Sequence, residues 1–230
     1  MNISNIVLII PAYNPPPELI LFTKNLLNYG FDKIIIVNDG SHQKYDPIFD
    51  EIKKTIAILI IHENNKGKGL ALKTGFNYCI NNLKNISGII TADADGQHDI
   101  QDIINIANQV TKNEILLGQR FFNNKQVPFK SQLGNFLSRK AISFASKQKI
   151  YDTQTGLRFI PINKLKEISI IPGTKFEFET NMLLYAKTFG LKIREIPIKT
   201  IYINKNESSH FRPFKDGYMI YKSILKFLIN

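Results

Sequence analysis

The chain has 230 residues, 43% of them hydrophobic and 21% charged, and a formal net charge of +11. That is core material for one large α/β domain or two small ones, and the charge favours anionic partners such as nucleotides, phospholipid head groups or nucleic acid. The lone Cys79, expected as a small core residue, excludes an internal disulfide framework and a cysteine-rich metal site; no apolar run reaches the roughly 20 residues that span a bilayer, and no signal peptide precedes the first strand, so a cytoplasmic chain, soluble or peripheral, is expected.

In chain order, short runs rich in Ile and Val alternate with segments of helical periodicity. The pattern predicts a strand from Ile6 to Ile10, a helix from Pro17 to Tyr29, a strand from Lys33 to Val37 and a helix from Pro47 to Lys54. A strand from Ile56 to Ile61, a helix from Gly69 to Leu83, a strand from Gly88 to Ala92, a helix from Ile100 to Thr111 and a strand from Glu114 to Gly118 follow. Strands separated by single helices imply a mostly parallel sheet flanked by helices, with ligands bound beyond the carboxyl ends of the strands.

Polar motifs gather at those ends. Pro11-Ala12-Tyr13-Asn14-Pro15 follows the first strand, Asn38-Asp39-Gly40-Ser41 the second and Asn64-Asn65-Lys66-Gly67-Lys68-Gly69 the third. Asp93-Ala94-Asp95-Gly96-Gln97-His98 follows the fourth, and four loops on one edge make a cleft. Two carboxylates one residue apart, with the Gln97 carbonyl, form a hard oxygen set suited to Mg²⁺ or Mn²⁺ and so to chemistry on a phosphate. A plain turn, with Asp99 and Asp102 favouring the start of the next helix, is the competing reading. Asn38 to Ser41 likewise reads as a turn, or as Asp39 accepting from a base or ribose with Tyr13 against the base. The Gly67-Lys68-Gly69 segment reads as a simple helix start, or as one whose free N–H groups and Lys68 face a phosphate.

That segment is not a P-loop, because Leu72 stands where the second glycine belongs. No Gly-x-Gly-x-x-Gly follows the first strand, which disfavours a dinucleotide-binding domain.

With Gly118-Gln119-Arg120 and Asp152-Thr153-Gln154-Thr155-Gly156-Leu157-Arg158 added, the motifs from Ile6 to about Phe227 resemble the family-two glycosyltransferases, in particular the dolichyl-phosphate mannose synthases and bacterial polyprenyl-phosphate glycosyltransferases. The resemblance implies one α/β domain of GT-A (nucleotide-diphospho-sugar transferase) fold over residues 1–230. Within it, 1–118 is the nucleotide-sugar half, 119–216 the acceptor half and 217–230 a basic amphipathic helix.

Carried over by position, Pro11, Tyr13, Asn14, Val37 and Asp39 are expected at the base and ribose, with Ala94 along the nucleotide and Lys68 at phosphate. Asp93, Asp95 and Gln97 are expected to hold Mg²⁺ or Mn²⁺ against the diphosphate, with Asp95 and Arg120 as the catalytic pair. His210, Arg212 and Lys215 lie in a segment similar to the loop that closes over the donor. Lys130, Ser131, Asn135 and Arg139 fall where lipid-phosphate members bind the acceptor phosphate. Pro15 departs from the acidic residue many mannose synthases carry, which puts one ribose contact in doubt.

The activity so implied is inverting transfer of a hexose from a UDP- or GDP-sugar to a polyprenyl phosphate. An anionic phosphate needs no general base; a saccharide hydroxyl acceptor, as in cell-surface polysaccharide synthesis, does, with Glu177 or Glu179 as candidates. The C-terminal segment from Tyr218, apolar with Lys222 and Lys226 interspersed, is expected at an anionic membrane surface, on the body of the enzyme or on a separate membrane protein. A non-catalytic basic module binding nucleotide or nucleic acid is supported by charge alone and shows no recognisable nucleic-acid motif, so no nucleic-acid partner is expected.

Overall fold

The computed structural model describes residues 3–120, 139–199 and 213–229, with side chains of the last segment described from Asp216. Seven strands form one sheet: β1 (Ile6–Ala12), β2 (Lys33–Asn38), β3 (Ile58–Ile61), β4 (Gly88–Thr91), β5 (Glu114–Arg120), β6 (Arg158–Pro161) and β7 (Lys192–Ile198). Their order is β3-β2-β1-β4-β6-β5-β7. Neighbours pair in parallel except around β6, which runs antiparallel to both β4 and β5. The mostly parallel sheet is as expected, and the antiparallel β6 has no counterpart in the sequence reading.

The helices are α1 (Glu18–Asn28), α2 (Asp46–Lys53), α3 (Lys68–Asn82), α4 (Ile100–Ala107), α5 (139–146), α6 (Leu165–Ser169), α7 (Glu177–Tyr185) and α8 (Pro213–Ile229). Each predicted element over residues 6–118 is present, with shifted ends. Strand β1 runs on to Ala12, whose carbonyl accepts from Asp39 N at 2.8 Å. Helix α4 stops at Ala107 and not Thr111, because the chain turns so that Gln109 O and Oε1 accept from Arg194. Glu177 and Glu179 sit in the first turn of a helix, and α8 starts four residues before Gly217.

Side-chain alternation sends Val7, Ile9, Ile35 and Val37 to one face of the sheet and Leu8, Ile10, Ile34 and Ile36 to the other. The first face is covered by α3, α5, α6, α7 and α8, through residues such as Leu72, Phe76, Ile142, Leu165, Phe178 and Ile220. The second is covered by α1, α2 and α4, through Leu19, Phe22, Phe49, Ile52, Ile103 and Ile106. Cys79 is wholly buried in the first core, and burial pushes its thiol up to about 12, which leaves it inert as a nucleophile. With both faces covered, the strand ends are where ligands can enter. Because β6 is antiparallel, its start, not its end, joins the carboxyl ends of β1, β2, β4 and β5 on one edge.

Candidate active site

A cavity of ≈ 690 Å³ opens at that edge, lined by the loops after β1, β2 and β4, the last residue of β5, the start of α3, the approach to β6, the first turn of α7 and one side of α8. Asn14 takes a left-handed backbone, φ 49°, and ties the first two loops together. Its Oδ1 accepts from His42 N at 3.0 Å and its N–H donates to Ser41 Oγ at 2.9 Å, while Asn38 Oδ1 caps Ser41 N at 2.9 Å. Pro11, Tyr13 and Asn14 face the cavity, with the Tyr13 ring 6.2 Å from His42 at 51°.

Asp39 lines the cavity although only 2% of it is exposed. Its Oδ1 accepts from Lys66 N at 2.9 Å and meets His62 Nδ1 at 2.7 Å; its Oδ2 accepts from Gly67 N at 2.8 Å. His62 Nε2 lies 3.0 Å from Thr74 Oγ1 on α3. One carboxylate thus fastens the β3–α3 loop to β2. Gly40 permits this approach, since a Cβ there would stand 2.2 Å from the Asn64 carbonyl carbon. The Val37 side chain is fully buried in the core beneath α3, on the face that strand alternation dictates, and Val37 is not among the residues lining the cavity.

The Gly67-Lys68-Gly69 segment does start a helix, but its amides are not left for a phosphate alone. Leu70 N donates to Thr174 O at 2.9 Å, and Cβ atoms at Gly67 and Gly69 would fall 2.6 Å from Thr174 O and Phe178 Cβ. The glycines serve close packing of α3 on the approach to α7, and the Lys68 side chain faces the cavity.

Lys68 Nζ stands 2.7 Å from Asp93 Oδ1 and 2.8 Å from Glu179 Oε2. Asp93 Oδ2 is 3.3 Å from His98 Nε2. Burial opposes ionisation of Asp93, but Lys68 and the His98 contact overcome it and hold the carboxyl well below the usual carboxylate range. The same two carboxylates overcome the burial of Lys68 and raise its ammonium. Asp95 moves the other way: burial, then the Asp93 charge, raise its carboxyl, and Oδ1 accepts from Gln97 N at 3.0 Å.

Two carboxylates facing one cavity, one of them disfavoured as an anion by burial and by the other's charge, fit a hard divalent cation. Among the described residues no group of three or more His, Cys, Asp and Glu stands ready to ligate a metal. A cation held by Asp93, Asp95 and the adjacent Gln97 would complete its shell with ligand phosphates and water, as Mg²⁺ commonly does. Ala94 and Gln97 line the same wall.

Arg120 faces the cavity with Nε and Nη2 locked onto Asp152 Oδ2 and Oδ1 at 2.8 and 3.0 Å. Arg158, 1% exposed, donates to the carbonyls of Thr153, Thr155 and Glu179 and lies 3.9 Å from Glu179 Oε1. Glu177 caps the turn before α7, accepting from Thr174 N and Lys175 N at 2.9 and 3.2 Å. Arg139 lies on α5 and is not among the residues lining the cavity; its charge acts on Glu195. Lys130, Ser131, Asn135, His210 and Arg212 lie outside the described residues, as does the Lys215 side chain.

Sequence reasoning singled out neither His62 nor Gly156 and did not foresee the bridge from Lys68 to Glu179. A Cβ on Gly156 would lie 2.2 Å from Asp93 Oδ2. The signal for Gly156 was its motif, Asp152 to Arg158; His62 was marked only by its place where an apolar strand ends.

The sequence profile of glycosyl transferase family 2 matches residues 7–169. The chain is 34% identical over 218 residues to a UDP-N-acetylglucosamine–dolichyl-phosphate N-acetylglucosaminyltransferase of Methanococcus voltae, covering 86% of each. It is 30% identical over 232 residues to an uncharacterized protein of Methanocaldococcus jannaschii, covering 98% of this chain and 93% of that one. Its fold is similar to glucosyl-3-phosphoglycerate synthase of Mycobacterium tuberculosis, in a complex with Mn²⁺, UDP and glucosyl-3-phosphoglycerate: TM-score 0.71, 13% identity, 97% of this chain and 79% of that one. A complex of that synthase with Mg²⁺ and UDP gives a TM-score of 0.70 at 12% identity, with the same coverage. A profile matched over most of the chain, on a sheet whose polar loops meet at one edge, means that this protein belongs to glycosyl transferase family 2 and is a glycosyltransferase of GT-A fold.

Proposed function

We propose that the protein transfers a hexose, with inversion, from a nucleotide-diphosphate sugar to a polyprenyl phosphate, using a divalent cation. The observation that carries the choice of acceptor is the state of the two candidate bases. Glu179 is paired with Lys68 and flanked by Arg158, and Glu177 is spent on two backbone amides. Glu177 does not line the cavity, and Glu179 turns Oε2 to Lys68 and buries Oε1, so neither presents an open oxygen to take the proton of a hydroxyl acceptor. A phosphate acceptor is already an anion and asks only for positive charge. The acceptor named for the Methanococcus voltae relative, a dolichyl phosphate, supports the same reading.

On this reading Pro11, Tyr13, Asn14 and Asp39 form the nucleoside end of the cavity, and Lys68, Asp93, Ala94, Asp95 and Gln97 its diphosphate end. Bound Mg²⁺ or Mn²⁺ supplies Lewis-acid stabilisation of the charge that collects on the leaving diphosphate. Arg120, oriented by Asp152, adds fixed positive charge on that side. Residues 119–216 are assigned the acceptor side.

Among the described residues no helix is long and apolar enough to cross a membrane. Helix α8 buries Ile220 and Ile224 against the core and places Phe227 edge-on to Tyr185 at 5.0 Å. Its other side exposes Tyr218, Tyr221, Leu225, Leu228 and Ile229 beside Lys222 and Lys226. We assign that side to the cytoplasmic face of an anionic membrane, where the lipid acceptor resides. Removing both lysines, Lys222→Ala with Lys226→Ala, is expected to weaken binding to phosphatidylserine vesicles by about 2 kcal/mol, about 1 per lysine. Vesicle sedimentation measures it; undiminished binding would take the membrane contact away from α8.

Removing His62 leaves Asp39 Oδ1 only the Lys66 amide and takes away one of the three contacts that fix the Asp39 carboxylate at the β3–α3 loop. His62→Ala is expected to weaken nucleoside diphosphate binding about tenfold, the worth of one hydrogen bond to a charged group. Calorimetry against UDP and GDP reads this.

The activity itself is tested with labelled UDP-N-acetylglucosamine, other UDP-hexoses and GDP-mannose, short-chain polyprenyl phosphate, and Mg²⁺, Mn²⁺ or EDTA. Label is expected in the organic phase, and EDTA is expected to remove it. Transfer to a saccharide with none to the lipid would replace the acceptor assignment by a sugar hydroxyl.

A further inference from the structure

We propose that Lys68 is a resident cation that keeps Asp93 closed to a lone divalent ion, so that metal and diphosphate must enter the site together. The inference rests on the reading of Asp93 and Asp95 as metal ligands.

Both Asp93 oxygens already have partners: Lys68 Nζ on Oδ1 and His98 Nε2 on Oδ2. A metal ion bound to Oδ1 would meet the ammonium within a few ångströms, and like charges at that range repel strongly away from bulk water. The Lys68 side chain is only 17% exposed, so water screens the repulsion poorly.

Nor can Lys68 retreat by moving its backbone. Gly67 and Gly69 on either side are packed so tightly on Thr174, Lys175 and Phe178 that even a Cβ would not fit. The ammonium can only swing about a fixed Cα, and Glu179 Oε2, its second partner, keeps it in the cavity. Displaced from Asp93, Lys68 therefore stays beside the incoming metal.

The charge inventory points the same way. Asp93, Asp95 and Glu179 face Lys68 and Arg158, leaving one net negative charge. A divalent ion alone overfills this balance, and a diphosphate arriving with it restores a place for both cations. Lys68, released by Asp93, then has phosphate oxygens to meet.

Mn²⁺ binding followed by electron paramagnetic resonance tests this without turnover, with no nucleotide, with UDP and with GDP, corrected for the Mn²⁺–nucleotide complex in solution. In the unmodified protein one nucleotide is expected to tighten Mn²⁺ binding about 30-fold or more, within the usual range of site coupling, and by linkage Mn²⁺ tightens that nucleotide equally. Lys68→Gln is expected to bind Mn²⁺ alone about tenfold more tightly, because a close like charge has gone, and to lose most of the coupling. Lys68→Arg keeps the charge and is expected to keep the weak binding of Mn²⁺ alone.

Unchanged or weaker binding of Mn²⁺ alone by Lys68→Gln overturns the inference while leaving the metal site intact. So does an unmodified protein that binds Mn²⁺ equally with and without nucleotide, a result that needs no variant to fold. Absence of Mn²⁺ binding under every condition overturns the metal reading and this inference with it.

Discussion

Asp93→Asn is expected to lower kcat/KM for sugar transfer about 10³-fold, the upper end of what one preorganised electrostatic group contributes. Asparagine keeps the shape but cannot neutralise Lys68 or serve as an anionic ligand. The variant is also expected to lose about 2 kcal/mol of stability, as when a hydrogen bond to a charged group is broken in a partly buried site. Asp95→Asn provides the contrast. Burial and the Asp93 charge already disfavour the Asp95 anion, so the neutral isostere is expected to match the loss of rate while leaving the metal-free protein as stable or more so.

Paired rate assays and thermal melts separate the two. A Asp95→Asn protein that melts lower than the parent would contradict the electrostatic account. The sign for pH follows from the same directions. A raised carboxyl binds its proton more tightly in the folded state, so Asp95 adds stability as pH falls through its raised value, complete below its ordinary 3.8. Activity is expected to fall over the same acid limb, since protonated Asp95 no longer offers an anionic oxygen, whereas Asp93 stays ionised there.

Gly156→Ala is expected to be nearly as severe for a residue with no chemistry of its own. The added methyl would sit 2.2 and 2.4 Å from the two Asp93 oxygens. The backbone cannot yield easily, because Gly156 O accepts from the buried Thr91 hydroxyl at 2.7 Å and Leu157 O accepts from Gly118 N at 2.9 Å. Asp93 must move instead, dragging Lys68 with it. We expect a loss of about 1–3 kcal/mol, typical of overpacking, and kcat/KM lower by about 10²-fold, as for an angstrom-scale misplacement of a catalytic group. Full activity in Gly156→Ala would mean that the Asp93 carboxylate adopts a different position in the working enzyme.

The first half of the fold was legible because local and tertiary signals agree there. Runs such as Ile6 to Ile10 and Lys33 to Val37 are continuous and apolar because β1 and β2 are covered on both faces, and the polar residues that follow them must leave the sheet. The Asp93 loop could be placed for the same reason. What stayed hidden was long-range. Nothing local in Arg158–Pro161 says that these residues insert antiparallel between β4 and β5, and nothing in Phe176 to Thr180 says that Glu179 reaches Lys68 across more than a hundred residues. At Val37 a motif position pointed toward the ligand, while strand alternation assigns its side chain to the core.

The antiparallel β6 has a consequence for how such a chain can diversify. The segment between β5 and β6 leaves and re-enters the sheet at the same edge, and Arg120 and Asp152 clasp its two ends. For an excursion closed at its root, the entropy of closure grows only logarithmically with length, about 0.6 kcal/mol for each doubling. Changes of length in this segment outside α5, whose Ile142 packs in the core, can therefore be absorbed without re-registering a strand. Such changes leave the Asp93 loop, built on β4 beside β6, with its geometry.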